Sequence, residues 1–328
     1  MGDAVMRSWG CAAAVLACAF VPSPAAADAP PSSGSGAAAR ALLASPEPLV
    51  APAASPGLEN KHRLEWNERW HRFRLPEYIG TGVTGVAAIA VFAYGTPSDH
   101  PKWVGPILFD EPVRDALRLR TRSGIATAET VSSALTIVIP VQSMVDSVLL
   151  PGIDGSWDVM WQLGMMDAES YALSALVTAG LYDTTGRARP SYADCKAGRS
   201  IDPYCNSGEF ASFPSGHTAA AMAGAGLMCA EHGALPLYGG RALDVAACAE
   251  GLTLATGVGV LRLMADRHYV SDVLTGGAIG FFSGYGLPML LHFWKRPVGE
   301  VVNRPDLKVA LIPGAGATAL GVSAVGIF

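Results

Sequence analysis

The chain has 328 residues, half of them hydrophobic and only 16% charged, with a formal net charge of -5. That length holds one large domain, or one domain with tails, and the acid excess argues against a general nucleic-acid binder. Aromatic residues are sparse while Gly and Ala abound, which suits closely packed helices.

The first segment reads as an export signal. Arg7 precedes an apolar run from Cys11 to Val21, followed by Pro22, Pro24 and Ala25-Ala26-Ala27. This is the charged, apolar, A-x-A order of a cleaved signal peptide over 1–27, with cleavage after Ala27. A retained membrane anchor is the competing reading. Lipid attachment at Cys18 is weaker, because Leu16 is unusual so close before such a site. Removing the signal leaves Cys195, Cys205, Cys229 and Cys248. Cys195 and Cys205 share one loop, and an oxidising compartment is expected to let them close it.

Residues 28–60 are Pro, Ala, Ser and Gly without apolar periodicity, a disordered linker. Over 61–75, Trp66, Trp70 and Phe73 recur at helical spacing among Arg63, Arg69, Arg72 and Arg74. Such a helix lies on an anionic membrane surface or packs its tryptophans on the domain. Six apolar stretches follow, near 81–95, 124–150, 158–181, 217–230, 244–263 and 273–292, and all read as helices. They predict an all-α domain of about six core helices over 61–300. None is a clean spanning segment: the first falls short of the ~20 residues a bilayer needs. Others carry Glu129, Asp146, Asp158, Asp167, Glu169 and Glu250, which must face a bundle interior or water. Soluble and membrane-embedded forms both stay open. The tail 301–328, rich in Val, Ile and Gly, is irregular or a β-hairpin.

The chemistry sits in a split constellation: Arg189-Pro190, then Pro214-Ser215-Gly216-His217, then Arg262, His268 and Asp272. Arg189 and Arg262 are planar, permanently charged forks that match phosphate oxygens. Ser215 and Gly216 fall where a helix begins, so backbone N–H groups point at an anion, with the Ser215 hydroxyl as a further donor. His268 and Asp272 stand four apart on one helix face. A carboxylate on one imidazole nitrogen fixes the tautomer and leaves the other to attack phosphorus. His217, beside the cradle, is placed to protonate the leaving oxygen. The expected product is a phosphohistidine, hydrolysed by water in a second step, with the arginines lowering most of the barrier.

These residues resemble the type 2 phosphatidic acid phosphatase superfamily, which includes bacterial acid phosphatases and vanadium haloperoxidases. Its pattern has a Lys seven residues before Arg-Pro, then Pro-Ser-Gly-His, then Ser-Arg with a His six residues on and an Asp four further. The second block is complete at 214–217; the third has Arg262, His268 and Asp272 in register; the first has Arg189-Pro190 with Gly186 and Arg187 ahead of it. The resemblance covers roughly 158–290 and implies a compact helical bundle. It implies His268 as nucleophile, His217 as general acid and Asp272 orienting His268. Two departures stand out. Tyr182 takes the Lys position and brings no charge, and Leu261 takes the Ser position and donates nothing. Arg187 or Lys196 are the candidates to replace the missing cation.

The expected activity is hydrolysis of a phosphomonoester or diphosphate, the substrate being a phosphorylated lipid. No cofactor and no metal is implied: arginines beside His217, His268 and Asp272 repel a cation. A degenerate member that binds an anion or lipid without turnover is the alternative, and vanadium haloperoxidase chemistry a weaker one. The protein is expected in the cell envelope, its site facing the periplasm. One conflict attends this: the basic stretch 96–123, with Lys102, Arg114, Arg118, Arg120 and Arg122, prefers the cytoplasmic side. Nothing in the sequence assigns an oligomeric state.

Overall fold

The structure, a computed structural model, describes residues 63–95, 100–205 and 210–294, together with the backbone of 308–316 and 319–327. The segments read as export signal and linker, 1–60, lie outside the described residues. Eight helices occur among them: α1 (Leu75–Tyr94), α2 (Asp110–Leu117), α3 (Arg122–Ile153), α4 (Trp157–Thr185), α5 (Tyr192–Lys196), α6 (Gly216–Ala234), α7 (Arg241–Met264) and α8 (Val270–Leu291). The six long ones are the six expected, so the bundle is all-α. In the tail, Lys308–Gly316 pairs antiparallel with Ala319–Ile327, from Lys308 opposite Ile327 to Gly316 opposite Ala319.

Local chemistry sets the helix ends. Pro76 sits in the first turn of α1, and the Arg74 N–H donates to Glu77 Oε2 at 2.6 Å. The Thr121 hydroxyl caps α3, accepting from Gly124 N–H at 3.2 Å. α3 and α8 each contain a π-turn, Val145–Leu149 and Phe282–Gly286, just before Pro151 and Pro288. A proline lacks the N–H and crowds the carbonyl one turn back, and the wider turn absorbs both effects.

α6 is the axis of the bundle, and most of its residues from Thr218 to His232 are buried. Its run of Ala and Gly makes a thin rod that α3, α4, α7 and α8 can approach closely. On α8, Gly276, Gly280 and Gly284 lie one turn apart. A Cβ on them would overlap the carbonyl oxygens of Ser215, Ala219 and Ala223 in turn. The two backbones therefore touch along one line, and the starts of α6 and α8 are held side by side.

The stretch 63–74 is not the expected helix. It runs as extended chain with one turn, because the helix signal begins only at Leu75-Pro76 and the aromatic rings are consumed in packing. Trp66 and Phe73 are buried with Val159, Leu163, Met166 and Phe293. Trp66, Trp70 and Phe293 stack with centroids 5.0 to 5.9 Å apart. Phe73 N–H donates to Gln162 Oε1 at 2.9 Å. Of the two readings of this segment, packing on the domain is the one observed.

The outer surface is apolar. Ile79, Val83 and Val86 on α1, Ile137, Val138 and Val141 on α3, and Leu274, Phe281 and Phe282 on α8 are exposed. α1, α3, α7 and α8 are long and apolar enough to cross a bilayer. This corrects the sequence expectation for the first stretch, which gains six residues N-terminal to Thr81 and reaches 20. Asp146 and Asp167 are buried and Glu129 points inward, as charges on such helices must. Glu250 on α7 and Asp158 at the start of α4 are exposed.

Candidate active site

The three sequence blocks meet at one end of the bundle. α4 closes at Gly186, whose left-handed backbone (φ 49°) accepts a conformation costly for other residues. The chain then passes Arg187 and Arg189 and reaches the start of α6 at Ser215-Gly216-His217. The α7–α8 turn brings Arg262, Arg267, His268 and Asp272 opposite. Asp266 makes that turn with φ 55°, and Arg114 of α2 grips its carboxylate with two hydrogen bonds of 2.7 and 2.8 Å.

His268 is buried, and its Nδ1 lies 2.7 Å from the backbone carbonyl of Ser212. A carbonyl only accepts, so Nδ1 carries the proton and Nε2 keeps its lone pair. This differs from the expected direct contact with Asp272, whose Oδ2 is 4.0 Å from Nδ1. Asp272 instead accepts from Ser212 Oγ at 2.6 Å and from Tyr269 N–H at 2.8 Å, capping α8. It holds the residue that holds His268, because a carboxylate three residues into a helix turns back to the orphan amide of the cap residue, here Tyr269. Burial, then the Arg189 and Arg262 charges, push His268 well below the ordinary histidine range. The ring stays neutral at neutral pH.

His217 is the second residue of α6, and its Nε2 lies 3.3 Å from Ser133 Oγ on α3. Burial, then the Arg262, Arg189 and Arg267 charges, push His217 well below the ordinary histidine range. Arg262 is almost fully buried and donates to Glu129 Oε2 at 2.7 Å. Arg267 Nε lies 3.5 Å from the same oxygen. Arg189 donates to the Arg267 carbonyl at 2.9 Å. Burial, with Arg267 and Arg262 beside it, pulls Arg189 down from the ordinary arginine range. Like charges held this close in a buried place favour an anion among them.

Several expected residues do other work. Arg187, fully buried, bridges Asp110 at 2.7 Å and Asp272, with its guanidinium over Trp103 and Tyr269 at 3.9 and 4.3 Å. Asp110 also accepts from Ser271 N–H at 2.9 Å. Arg187 is thus a strut that ties α2, α4 and α8 together, and it is not available to replace the missing cation. Lys196 lies over the Tyr192 ring at 5.9 Å on α5. Ser215 Oγ accepts from Thr218 N–H and pairs with Thr218 Oγ1 at 2.9 Å, so its hydroxyl caps α6. Tyr182 reaches the cradle: its hydroxyl accepts from Gly216 N–H, and a Cβ on Gly216 would overlap it.

Cys195 and Cys205 are joined, closing the loop beside the site, and Cys229 on α6 is joined to Cys248 on α7. Sequence reasoning missed the second bridge, whose cysteines lie on separate helices with no loop signal. It also missed Asp110, Glu129 as a site residue, and Arg267. An acidic residue in an apolar helix was the available signal for Glu129.

The helical bundle, with its basic, buried end, defines the general class. Residues 167–296 match the family model of the PAP2 superfamily. Within the same comparison, the chain is 36% identical over 135 residues to the lipid A 1-phosphatase of Porphyromonas gingivalis. That match covers 40% of this chain and spans about a quarter of the relative, 24% of its length. No solved structure matches the chain.

Proposed function

We propose that the chain is a phosphatase that hydrolyses the phosphomonoester or diphosphate of a lipid through a phosphohistidine. The observation that carries this reading is the neutral, carbonyl-bound His268 beside His217, with Arg189 and Arg262 at the α6 N-terminus. The phosphoryl oxygens sit against Arg189 and Arg262 at the positive N-terminus of α6. His268 Nε2 forms the new bond to phosphorus while the P–O bond to the lipid breaks, and His217, protonated once the bound phosphate offsets the arginine charges, gives its proton to the leaving oxygen. Water then attacks the phosphohistidine, losing its proton to His217 and releasing inorganic phosphate. The relative's activity, the matching superfamily and the apolar belt support a lipid substrate.

For the remaining organisation we propose a signal over 1–27, a linker over 28–60, the phosphatase domain over 61–300 and a tail over 301–328. The site end faces the periplasm. The Cys195–Cys205 bridge supports this. So does the pairing of Arg114 with Asp266 and of Arg118 with Asp115, which offsets the basic stretch 96–123. Residues 63–74 pack at the opposite end, where His71 N–H donates to the His292 carbonyl at 3.0 Å. α1 runs from that end to the site end, beside Asp183, so a cleaved signal and an outward site together require a bundle that does not span. N-terminal sequencing for a mature chain starting at Asp28, with reporter fusions in 96–123, tests that requirement.

The activity is tested on detergent-purified protein with phosphatidic acid, a polyprenyl diphosphate, lipid A and a chromogenic ester. Phosphate release from a lipid, abolished in His268→Ala, is the expected result. Vanadate binding without release from any of the four would overturn turnover and leave an anion-binding protein.

A further inference from the structure

We propose that Arg267 is a third phosphate-binding guanidinium of this site, held in place by the disulfide-closed loop; this rests on the phosphate-site reading above. Arg267 directly precedes the His268 nucleophile and is only 5% exposed, although it is an arginine. Its Nε stands 3.5 Å from Glu129 Oε2, the oxygen that also accepts from Arg262. Its carbonyl accepts from Arg189, and its side chain shares the Glu129 carboxylate with Arg262. Of the charges acting on Arg189, that of Arg267 is the largest.

The loop supplies the hold. Asp202 Oδ2 lies 3.5 Å from Arg267 NH1, and the guanidinium stands 5.4 Å from the centre of the Tyr204 ring. Both residues lie between Cys195 and Cys205, whose bond fixes the loop ends. Three guanidiniums thus face two carboxylates, Glu129 and Asp202. One positive charge is left over, which favours a phosphate anion, and Arg262 Nε, buried and without a hydrogen-bond partner among the described residues, is a donor ready for it. Across the cradle Tyr182 offers a hydroxyl and no charge, so the third cation enters from the α7–α8 turn and not from α4.

The test is the affinity of the full chain in detergent for inorganic phosphate and orthovanadate, by calorimetry and by competitive inhibition. Arg267→Ala should weaken both about 10- to 100-fold, the loss of one charge-assisted bond pair. Arg267→Lys should restore part of it. Tyr182→Lys should recover affinity in the Arg267→Ala background and add little to the wild type. Reduction, or the Cys195→Ser/Cys205→Ser pair, should weaken phosphate in the wild type and not in Arg267→Ala. Wild-type affinity in Arg267→Ala overturns the proposal, as does a loss that Arg267→Lys fails to restore while melting falls equally in both. If the wild type binds vanadate through Arg267 but turns over no ester, the assignment of Arg267 stands and the phosphatase reading falls. If the wild type turns over substrate and Arg267→Ala binds phosphate equally, only Arg267 falls.

Discussion

The two ends of α6 carry opposite electrostatics. At its N-terminus Arg189, Arg262 and Arg267 gather around two histidines. At its C-terminus Asp146, Asp167, Glu231 and Asp244 gather around His232. The acidic end is matched from within: His232 is 2.7 Å from Asp244 and 3.3 Å from Asp146, and Tyr238 donates to Asp146 at 2.9 Å. Asp167 takes a short hydrogen bond from Ser147. The basic end has more guanidiniums than carboxylates, and the helix N-terminus adds partial positive charge. One end holds the bundle, and the other is the end proposed to hold an anion. Buried charge is the common device, and the presence or absence of an internal counter-charge divides the roles.

The largest expected effect separates the ends by chemistry. His268→Ala should lower phosphate release on the order of 10⁴-fold, with thermal melting little changed. His232→Ala should do the reverse. It leaves Asp146 and Asp244 without their cation, costs about 3–5 kcal/mol, and spares turnover by the folded fraction; a detergent melting curve read beside initial rates shows both. The ends are roughly 20 Å apart at about 1.5 Å per residue, so the two effects should add.

A second contrast lies within the basic end. Arg187→Met should destabilise by about 3–5 kcal/mol, because Asp110 and Asp272 lose their shared partner. Arg189→Met should keep its melting temperature and raise the vanadate inhibition constant about tenfold or more. Equal melting of the two variants would erase the distinction between strut and ligand. Next in size is Gly280→Ala, which pushes α8 off the Ala219 carbonyl. Overpacking of this kind costs about 1–3 kcal/mol, and by parting the two helix starts it should lower kcat more than it raises KM.

The smallest effect is in the pH profile. His268 is held well below its ordinary value by burial and by Arg189 and Arg262, so the attacking ring is neutral above its lowered value and charges only below it. The acid limb of kcat/KM that belongs to His268 should therefore lie below the usual histidine range. Arg262→Met removes one of the charges and should move that limb upward on the same substrate. A limb that stays put would place the titration on another group.

Six long helices were legible in the chain, because apolar runs broken by Gly and Pro follow from backbone propensity and burial alone. His217, His268, Arg189 and Arg262 were legible for a related reason: a histidine at a helix start and a paired arginine are local patterns. What those patterns did not contain was partnership. Asp272 sits four residues from His268, yet the imidazole binds the Ser212 carbonyl, some 56 positions away in sequence. Arg187 had the same local appearance as Arg189, and only the approach of Asp110 made it a strut.

By itself, then, the sequence determined the helical bundle and the kinds of group that gather at its basic end, since both are written in short-range spacing. The tertiary structure decided which arginine is held by carboxylates, which one faces the cradle, and which atom orients His268. Those outcomes depend on contacts between segments far apart in the chain, where the pairing of buried charges is settled by geometry that no local pattern records.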